Sequence, residues 1–413
     1  MDTPTSASVR VPFFRPDISL AEEAEVLAVL RSGWLTTGPR VRQFEEQFAH
    51  AVGAQHAVAV NSATAALHLA VEALGLGRGF TRHAVLVPTM TFAATAEVVR
   101  YMNAVPILVD CDPSTLNIDF ADAERKLARA ARGELPGIGV VDVVGIIPVH
   151  VGGVMVDMAR LREFSSAHDL WVVEDAAHAF PAAWRPSADN EWTSCGSDTS
   201  AVTCFSFYAN KTITTGEGGM AVTADRRVAD RMRLMSLHGL SRDAWNRYNS
   251  GGSWDYEIVD PGMKYNLTDI CAAIGIGQLQ RSEEMREARE RLAMRYSTQL
   301  RHLAEIEPPP WPDNRLHAWH LYPVRLRLDQ LRIGRNEFIE KLKKSDIGCS
   351  VHWRPLHLHP YYREQFGWMP EEFPVASREW ERLISLPLFP SMTTDEQDFV
   401  VDTVAEICAA NKA

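Results

Sequence analysis

The stretch Cys204-Phe205-Ser206-Phe207-Tyr208-Ala209-Asn210-Lys211 continues through Thr212-Ile213-Thr214-Thr215 into the glycine cluster Gly216-Glu217-Gly218-Gly219. Aromatic and small side chains precede Lys211, and an apolar setting lowers the pKa of a lysine toward the neutral amine. The neutral amine is the form that attacks an aldehyde and holds a Schiff base. Glycine lets the backbone approach a bulky ligand where a side chain would clash. Taken alone, the stretch is also compatible with a surface lysine in a loop between two strands.

An acidic residue at the end of a predicted strand lies upstream of this lysine. The run Trp171-Val172-Val173-Glu174 is typical of a buried strand and ends at Asp175, followed by Ala176-Ala177-His178. Asp175 is therefore a candidate charge partner in a pocket, and the alternative is that it caps a helix. His178 either lies beside the same pocket or is a hydrogen-bonded core histidine.

A candidate phosphate-binding site lies nearer the N-terminus. A short apolar strand over residues 55–60 runs into Asn61-Ser62-Ala63-Thr64 and then into an alanine- and leucine-rich helix. The free N–H groups and the dipole at such a helix start favour an anion, and Thr64 adds a hydroxyl. An ordinary N-capped helix is the alternative explanation.

Strands alternate with helices over the first half of the chain. Apolar runs at 84–87, 106–110, 140–149 and 171–174 are separated by helical patterns, which indicates an α/β fold with a mostly parallel sheet. Ligands of such sheets bind at the carboxyl ends of the strands. Four candidate site residues follow predicted strands, so that one pocket can hold them all: Thr64, Phe92, Asp175 and Lys211.

The pattern changes in the last third of the chain. Residues 268–303 are predicted to be helical almost without a break, which is long for a globular helix. After Pro308-Pro309-Pro310, predicted strands at 321–328 and 348–352 and helices at 336–344 and 394–408 indicate a smaller α+β unit. We therefore expect a large domain over 1–280 and a small C-terminal domain over 281–413, joined through the long helix.

Composition narrows the class of protein. The chain has 413 residues, of which 46% are hydrophobic, enough for a substantial core. The formal net charge of −11 argues against a nucleic-acid-binding protein, which needs a basic stripe. The six cysteines show no paired spacing and are typical of reduced thiols in a cytoplasmic protein. Residues 1–10 lack the apolar core of a signal peptide, and the most apolar stretch, 140–156, is too short and too interrupted to span a membrane.

A lysine in an apolar setting, an acid at a strand end, a phosphate-binding site and an aromatic residue together describe a pyridoxal phosphate site. Lys211 would hold the cofactor, and Asp175 would pair with the protonated ring nitrogen, whose charge makes the ring an electron sink. Phe92 would stack on the ring, although a core position is the plainer explanation for it. Ser206 and the 62–65 turn would hold the phosphate.

The chain resembles the DegT/DnrJ/EryC1/StrS family of sugar aminotransferases, whose fold is that of aspartate aminotransferase (fold type I). The likeness extends over nearly the whole chain. The stretches that carry it are 32–39, 60–67, 88–92, Glu174-Asp175-Ala176-Ala177-His178, Phe205-Ser206-Phe207 with Lys211, 216–219 and Tyr265-Asn266-Leu267-Thr268-Asp269. Two departures are Ala63, where a glycine is usual, and the segment 78–83, which lacks a common acidic turn.

The resemblance implies roles for individual residues. It implies Lys211 as the Schiff-base lysine and Asp175 on the ring nitrogen, with Ala63, Thr64 and Ser206 on the phosphate. It further implies that Asn266 reaches the phosphate of the neighbouring subunit, and hence that the protein is an obligate homodimer with shared sites.

The implied reaction moves an amino group from glutamate or glutamine to a ketone on a nucleotide-linked sugar. The expected acceptor is a 3- or 4-keto-6-deoxy sugar, with pyridoxamine phosphate as the intermediate cofactor form. The loop 241–256 supplies Arg242 and Arg247 as candidate diphosphate ligands. Four further residues are candidate substrate contacts: His320, Tyr322, His352 and Trp353. A metal on His352, His357 and His359 is not expected, because Pro355 prevents a helix there.

Three alternatives remain open. The first is a sugar dehydratase on the same scaffold, although by resemblance such members replace the Schiff-base lysine with histidine, and Lys211 argues against it. The second is a non-catalytic, regulatory relative, which an intact Lys211 and Asp175 disfavour. The third is a nicotinamide enzyme, but no Gly-x-Gly-x-x-Gly follows the first strand.

Overall fold

Apolar strands and amphipathic helices alternate along the chain in a computed structural model that describes residues 10–79, 81–197, 200–240 and 257–413. The helices are α1 (Leu20–Ser32), α2 (Pro39–Val52), α3 (Ala63–Ala73), α4 (Ala94–Tyr101), α5 (Phe120–Ala131), α6 (Met158–Ala167), α7 (Arg226–Ser236), α8 (Asp269–Gln280), α9 (Ser282–Leu300), α10 (Arg335–Lys344), α11 (Pro360–Phe366), α12 (Pro374–Arg382) and α13 (Thr394–Ala410). None of these described helices is long and apolar enough to cross a bilayer.

The described strands form one large sheet and two small ones. They are β1 (His56–Val60), β2 (His83–Pro88), β3 (Val105–Val109), β4 (Asp142–Ile146), β5 (Trp171–Asp175), β6 (Ala183–Trp184), β7 (Thr193–Ser194), β8 (Val202–Ser206), β9 (Gly219–Thr223), β10 (Ile306–Glu307), β11 (Arg315–Leu316), β12 (Tyr322–Leu326) and β13 (Leu383–Leu386). Within the described residues the large sheet has the order β1-β9-β8-β5-β4-β2-β3.

The large sheet confirms the predicted α/β class with a mostly parallel sheet. β9 runs antiparallel to both β1 and β8, whereas the pairs β8–β5, β5–β4, β4–β2 and β2–β3 are parallel. Two reversals restore the direction, so β1 points the same way as β8. The carboxyl ends of all these strands except β9 therefore meet at one edge of the sheet, where ligands of such folds bind.

Two apolar cores organise the packing. The first surrounds the large sheet and also contains residues from the 356–383 segment. The second forms around α9, α10, α13 and the antiparallel sheet β10-β12-β13, and it includes Val11, which bridges to Ile347 in parallel. Residues from both ends of the chain thus cross the expected boundary, and a division into domains at 280/281 stays a proposal.

The continuous helix predicted over 268–303 is instead two helices that meet at Arg281. α8 is largely buried, and Gly275 and Gly277 allow it to pack closely against Phe44 and Glu22. α9 is more polar and begins with the acidic residues Glu283 and Glu284, which favour a helix N-terminus. The break lets α8 stay in the first core while α9 enters the second.

The strand predicted over 348–352 is also wrong. The segment makes an isolated bridge between Ser350 and Ser385 and otherwise runs as irregular backbone. Its side chains are therefore free to face a cavity rather than to alternate across a sheet.

Candidate active site

A cavity of about 510 Å³ opens at the carboxyl edge of the large sheet. It brings together residues that the sequence predicted as one site from segments far apart in the chain. The predicted residues that line it are Ala63, Thr64, Phe92, Asp175, His178, Ser206, Lys211, His320, His352 and Trp353.

Lys211 follows β8 in a turn in which its N–H donates to the Tyr208 carbonyl at 2.9 Å. Its side chain is half-buried, and burial lowers the pKa of the amine to about 8, while the nearby Asp175 carboxylate opposes that shift. Among the described residues, no carboxylate comes within ion-pair distance of this amine. The amine is therefore close enough to neutrality to act as a nucleophile and is not held in a salt bridge.

Asp175 ends β5 and is 5% exposed. Its Oδ2 accepts a hydrogen bond from Thr95 Oγ1 at 2.8 Å, and its Oδ1 accepts one from the Ala177 N–H at 3.2 Å. Burial raises the pKa of this carboxyl, whereas the hydrogen bonds from Thr95 and Ala177 and the charge of Lys211 work in the opposite direction. The carboxylate is thus held in one orientation at the cavity wall, where it can pair with a cationic ring nitrogen.

The start of α3 forms the predicted phosphate-binding site. Ser62 caps the helix by accepting from the Ala65 N–H at 3.1 Å. In the part of the chain that the structure describes, the N–H groups of Ala63 and Thr64 make no hydrogen bond, as expected for the first turn of a helix. Ser206, at the end of β8, adds a half-buried hydroxyl to the same cavity. Two free donors, a hydroxyl and a helix dipole suit a phosphate.

Gly219 allows β9 to pack directly against the start of α3. A Cβ at Gly219 would lie 2.5 Å from the Ser62 carbonyl and 2.6 Å from the Ala63 nitrogen. These neighbours are backbone atoms and cannot rotate away. The last glycine of the 216–219 cluster is therefore needed for a close approach of two main chains.

Three histidines and a tryptophan form another wall of the cavity. The His178 ring stacks on Trp353 with centroids 4.9 Å apart and lies 4.1 Å from the ring of His320. Gly153, with φ +104°, lets the two histidine segments meet, because a Cβ there would lie 2.9 Å from the His178 carbonyl. His178 Nδ1 accepts from the Gly152 N–H at 3.2 Å, so the neutral ring carries its proton on Nε2.

These imidazoles are neutral at pH 7. Burial lowers the pKa of His352 to about 4 and holds those of His178 and His320 well below the usual value, and the charge of Lys211 adds to each shift. His352 Nδ1 lies 2.9 Å from Ser385 Oγ. His320 is 4% exposed, and neither of its ring nitrogens has a hydrogen-bond partner among the described residues. A buried, unpartnered imidazole at a cavity wall is a ready contact for a ligand.

Phe92 lies at the cavity edge and is 63% exposed. This exposure rules out the alternative that Phe92 is a core residue. A large aromatic side chain left uncovered beside a cavity is available to stack on a bound ring.

Tyr322 is not a cavity residue, and its assignment as a substrate contact is wrong. Its ring is fully buried in the second core, 4.9 Å from the ring of Tyr296, and its hydroxyl lies 2.9 Å from Ser297 Oγ. Tyr322 begins β12, where it faces the core, while His320 just before the strand faces the cavity.

Asn266 lies beside a different cavity of about 750 Å³. Its Nδ2 donates to Thr37 Oγ1 at 2.7 Å, and its backbone bridges to Val60. A contact of Asn266 with the site of a neighbouring subunit stays a prediction. Arg242 and Arg247 lie outside the described residues.

Sequence reasoning missed Thr91 and Thr95. Both are buried, and their hydroxyl oxygens lie 2.7 Å apart, with Thr95 bonded to Asp175. The available signal was their four-residue spacing in the segment that leads from β2 into α4. Thr91 lies in the bend before the helix and Thr95 is its second residue, and this turn of the chain brings the two hydroxyls together.

One group of described side chains has metal-like spacing: His150, Glu174 and Cys195. His150 Nδ1 accepts from the Val156 N–H at 3.1 Å, so its proton lies on Nε2 and is donated to Glu174 at 2.7 Å. The second suggested site is engaged in a similar way, because His357 contacts Thr89 and Ser377 through its two ring nitrogens. Hydrogen bonds to other protein groups thus occupy His150 and His357.

Comparison with known proteins places this site in a family. The spore coat polysaccharide biosynthesis protein SpsC of Bacillus subtilis is 42% identical over 398 residues, which is 96% of this chain and 97% of SpsC. The putative sugar aminotransferase Spr1654 of Streptococcus pneumoniae in its PLP form has a TM-score of 0.83 and 31% identity, covering 97% of this chain and 99% of that one. DesV of S. venezuelae has a TM-score of 0.82 and 30% identity, covering 97% and 98%.

Spr1654 is also known in a PMP form, with a TM-score of 0.83 and 30% identity over 97% of this chain and 98% of that one. The two forms of this relative, together with the fit of the cavity residues, support pyridoxal 5′-phosphate as the cofactor and its aminated form as the intermediate. The family's sequence model matches residues 16–405, nearly the whole chain. The chain is therefore a member of the DegT/DnrJ/EryC1/StrS aminotransferase family.

Proposed function

We propose that the protein transfers an amino group from glutamate or glutamine to a nucleotide-linked 3- or 4-keto-6-deoxy sugar. Membership of a sugar aminotransferase family supplies the reaction class. The observation that carries the assignment to this chain is that Lys211 and Asp175 line one cavity beside the open start of α3. The finer choice of sugar, nucleotide and donor rests on the resemblance and on the chemistry of the cavity wall.

Lys211 has two tasks in this proposal. When bound, pyridoxal phosphate supplies an aldehyde for an amine and a cationic ring that accepts an electron pair. A pKa of about 8 leaves roughly a tenth of the Lys211 amine neutral at pH 7, which suffices for attachment. With the donor amino acid bound in its place, Lys211 would take the proton from the donor's α-carbon as a general base and would deliver it as a general acid to the carbon of the cofactor's former aldehyde.

Asp175 and the start of α3 fix the position of the cofactor. The Asp175 carboxylate would hold a proton on the ring nitrogen, and the Ala63 and Thr64 N–H groups and the Ser206 hydroxyl would hold the phosphate. Phe92 and His178 would flank the ring. These groups come from four segments of the same sheet edge, so that the ring is held at both ends.

The histidine wall suits a sugar rather than a charged acceptor. Neutral imidazoles donate one hydrogen bond and accept another, which matches sugar hydroxyls. His320 and His352 are the proposed hydroxyl contacts, and Trp353 offers an apolar face. The two ring nitrogens of His320 find no partner in the part of the chain that the structure describes. Arg242 and Arg247 remain proposed diphosphate ligands.

A homodimer with shared sites is also part of the proposal, with Asn266 of each subunit reaching the phosphate bound by its neighbour. Co-expression of Lys211→Ala with Asn266→Ala tests it. A mixed dimer then contains one site with both Lys211 and Asn266 intact and one site that lacks both, so about half of the wild-type activity per mixed dimer should return. If the mixture is as inactive as the two parent variants, the sites are not shared in this way.

The free cysteines fit a cytoplasmic location, which we also propose.

A substrate panel tests the function directly. The purified protein should be yellow, and borohydride should fix the cofactor to Lys211. Incubation with keto-sugar nucleotides and glutamate or glutamine should convert one ketone to an amine, seen by mass spectrometry, and Lys211→Ala should abolish it. Product formation without any amino donor would instead indicate a dehydratase, and a Lys211→Ala variant with normal turnover would refute the assignment.

A further inference from the structure

We propose that Thr91 and Thr95 form a one-way hydroxyl chain that keeps the Asp175 carboxylate ionised and correctly oriented toward the cofactor. Both threonines are positioning residues, because they act on the cofactor through Asp175. The inference rests on the role of Asp175 under the proposed function.

The geometry of the chain is direct. Thr95 Oγ1 lies 2.8 Å from Asp175 Oδ2, and Thr91 Oγ1 lies 2.7 Å from Thr95 Oγ1. Thr95 is fully buried, Thr91 is 2% exposed, and Asp175 is 5% exposed. Thr91 also lines the cavity. Water is thus excluded from the two hydroxyls except at the cavity surface, and protein groups must satisfy them.

Counting protons fixes the direction of the chain. Thr95 has one hydroxyl proton and three candidate acceptors: Asp175 Oδ2, the Phe92 carbonyl at 3.2 Å and Thr91. The carboxylate is the nearer of the two oxygens that can only accept, and hydrogen bonds to ions are the stronger ones. Thr95 therefore donates to Asp175, and Thr91 must donate to Thr95.

The chain works against a large opposing effect. Burial favours the neutral, protonated form of a carboxyl, which cannot balance a cationic ring nitrogen. The titratable groups that face Asp175 are Lys211 from the turn after β8, His150 from the segment after β4 and Cys204 on the neighbouring strand. Lys211 becomes part of the cofactor linkage and His150 already donates to Glu174, so the hydroxyl of Thr95 is the fixed donor on this carboxylate, with the Ala177 N–H.

The two donors also set the orientation. Thr95 holds Oδ2 and Ala177 holds Oδ1, so the carboxylate cannot rotate without losing a hydrogen bond. One lone pair on each oxygen stays free for the cavity. Removing the Thr95 hydroxyl should therefore allow the carboxylate to rotate, and it should also make the ionised form of Asp175 less stable.

The test uses the holoenzyme and three variants. Thr95→Val keeps the shape and removes the hydroxyl, Thr95→Ser keeps the hydroxyl, and Thr203→Val is the matched control. Thr203 is a buried threonine that also donates to a carboxylate, Glu174 Oε1 at 3.1 Å, but that carboxylate does not line the cavity.

The first measurement is the pH titration of the visible absorbance of the bound cofactor. In Thr95→Val the Asp175 carboxylate should be less ionised, and the ring of the cofactor should therefore carry less positive charge. The nitrogen that links Lys211 to the cofactor is then easier to protonate, so the midpoint of the titration should rise by about 0.5 to 1 pH unit. kcat should fall about tenfold with the cofactor still attached. Thr95→Ser and Thr203→Val should stay near wild type, and Thr91→Val should show a smaller shift of the same sign.

The outcomes separate this inference from the proposed function. A Thr95→Val enzyme that titrates and turns over like wild type, while Asp175→Asn changes both, overturns the hydroxyl chain alone. An Asp175→Asn enzyme that is unchanged overturns the role of Asp175 and this inference with it. Should Thr95→Val fail to fold, the Thr91→Val shift decides: a rise supports the chain, and an unchanged midpoint refutes it.

Discussion

Replacing Gly219 with alanine should weaken cofactor binding as well as folding. The new Cβ would lie 2.5 Å from the Ser62 carbonyl and 2.6 Å from the Ala63 nitrogen, whereas ordinary carbon contacts begin near 3.4 Å. The start of β9 and the start of α3 must then separate by close to 1 Å. Both neighbours are backbone, so a rotamer change cannot relieve the clash.

The size of the effect follows from what that movement disturbs. Overpacking of this kind costs about 1–3 kcal/mol of unfolding free energy. The displacement should cost the equivalent of one hydrogen bond from the Ala63 and Thr64 N–H groups to a charged phosphate. One such bond is worth about 1.5–3 kcal/mol, so the cofactor Kd should rise roughly 10- to 100-fold.

Equilibrium dialysis of apoprotein with pyridoxal phosphate measures the Kd, and thermal unfolding of the same apoprotein measures stability. Gly334→Ala is the matched control, because a Cβ at Gly334 meets nothing within 4 Å and its φ is −84°. The control should change the unfolding temperature slightly and leave the Kd unchanged. A Gly219→Ala protein that loses stability but binds the cofactor normally would show that the phosphate does not sit at the start of α3.

Three further outcomes follow from the site. Asp175→Asn should fold, because Thr95 can turn its proton to the Phe92 carbonyl and accept from the new amide, but kcat should drop on the order of 100-fold or more in steady-state assays. Attachment of pyridoxal phosphate to the apoprotein should speed up roughly tenfold from pH 7 to pH 9 in stopped-flow measurements, since the Lys211 pKa of about 8 is lowered from 10.5 and the neutral amine forms through that window; a flat profile would contradict this. His320→Phe should raise the apoprotein's unfolding temperature by about 2 °C, by removing two nitrogens that have no partner among the described residues, while raising the KM for the sugar about tenfold; an unchanged KM would remove His320 from the substrate site.

The large sheet and the chemical centre could be predicted from sequence because each depends on local patterns. The apolar runs of β2, β3 and β5 are buried almost throughout, and such runs are typical of parallel strands. Asp175 and Lys211 each follow a strand of the same sheet closely. A parallel sheet then brings them to one edge whatever the loops between them do.

The errors arose where tertiary packing decides. The break at Arg281 depends on α8 being buried against α1 and α2, and helical periodicity alone continues through it. Tyr322 and His320 are two residues apart, and only the position at which β12 begins decides that one enters a core and the other a cavity. Thr95 was missed because its function is a contact with Asp175, 80 residues along the chain.

The polar groups at the cavity make sense only as a set prepared for a ligand. A fold selected for stability alone would not leave Phe92 largely exposed, nor would it bury His320 and Lys211 without a hydrogen bond or a salt bridge to their side chains from any residue that the structure describes. Each of these choices costs free energy in the ligand-free chain. The surroundings of Asp175 differ, because Thr95 and Ala177 both donate hydrogen bonds to its carboxylate. These bonds stabilise a charge that burial disfavours. The same wall therefore leaves free the groups that must bind and fixes the one group that must stay charged, which is the division of labour that a preorganised transferase site requires.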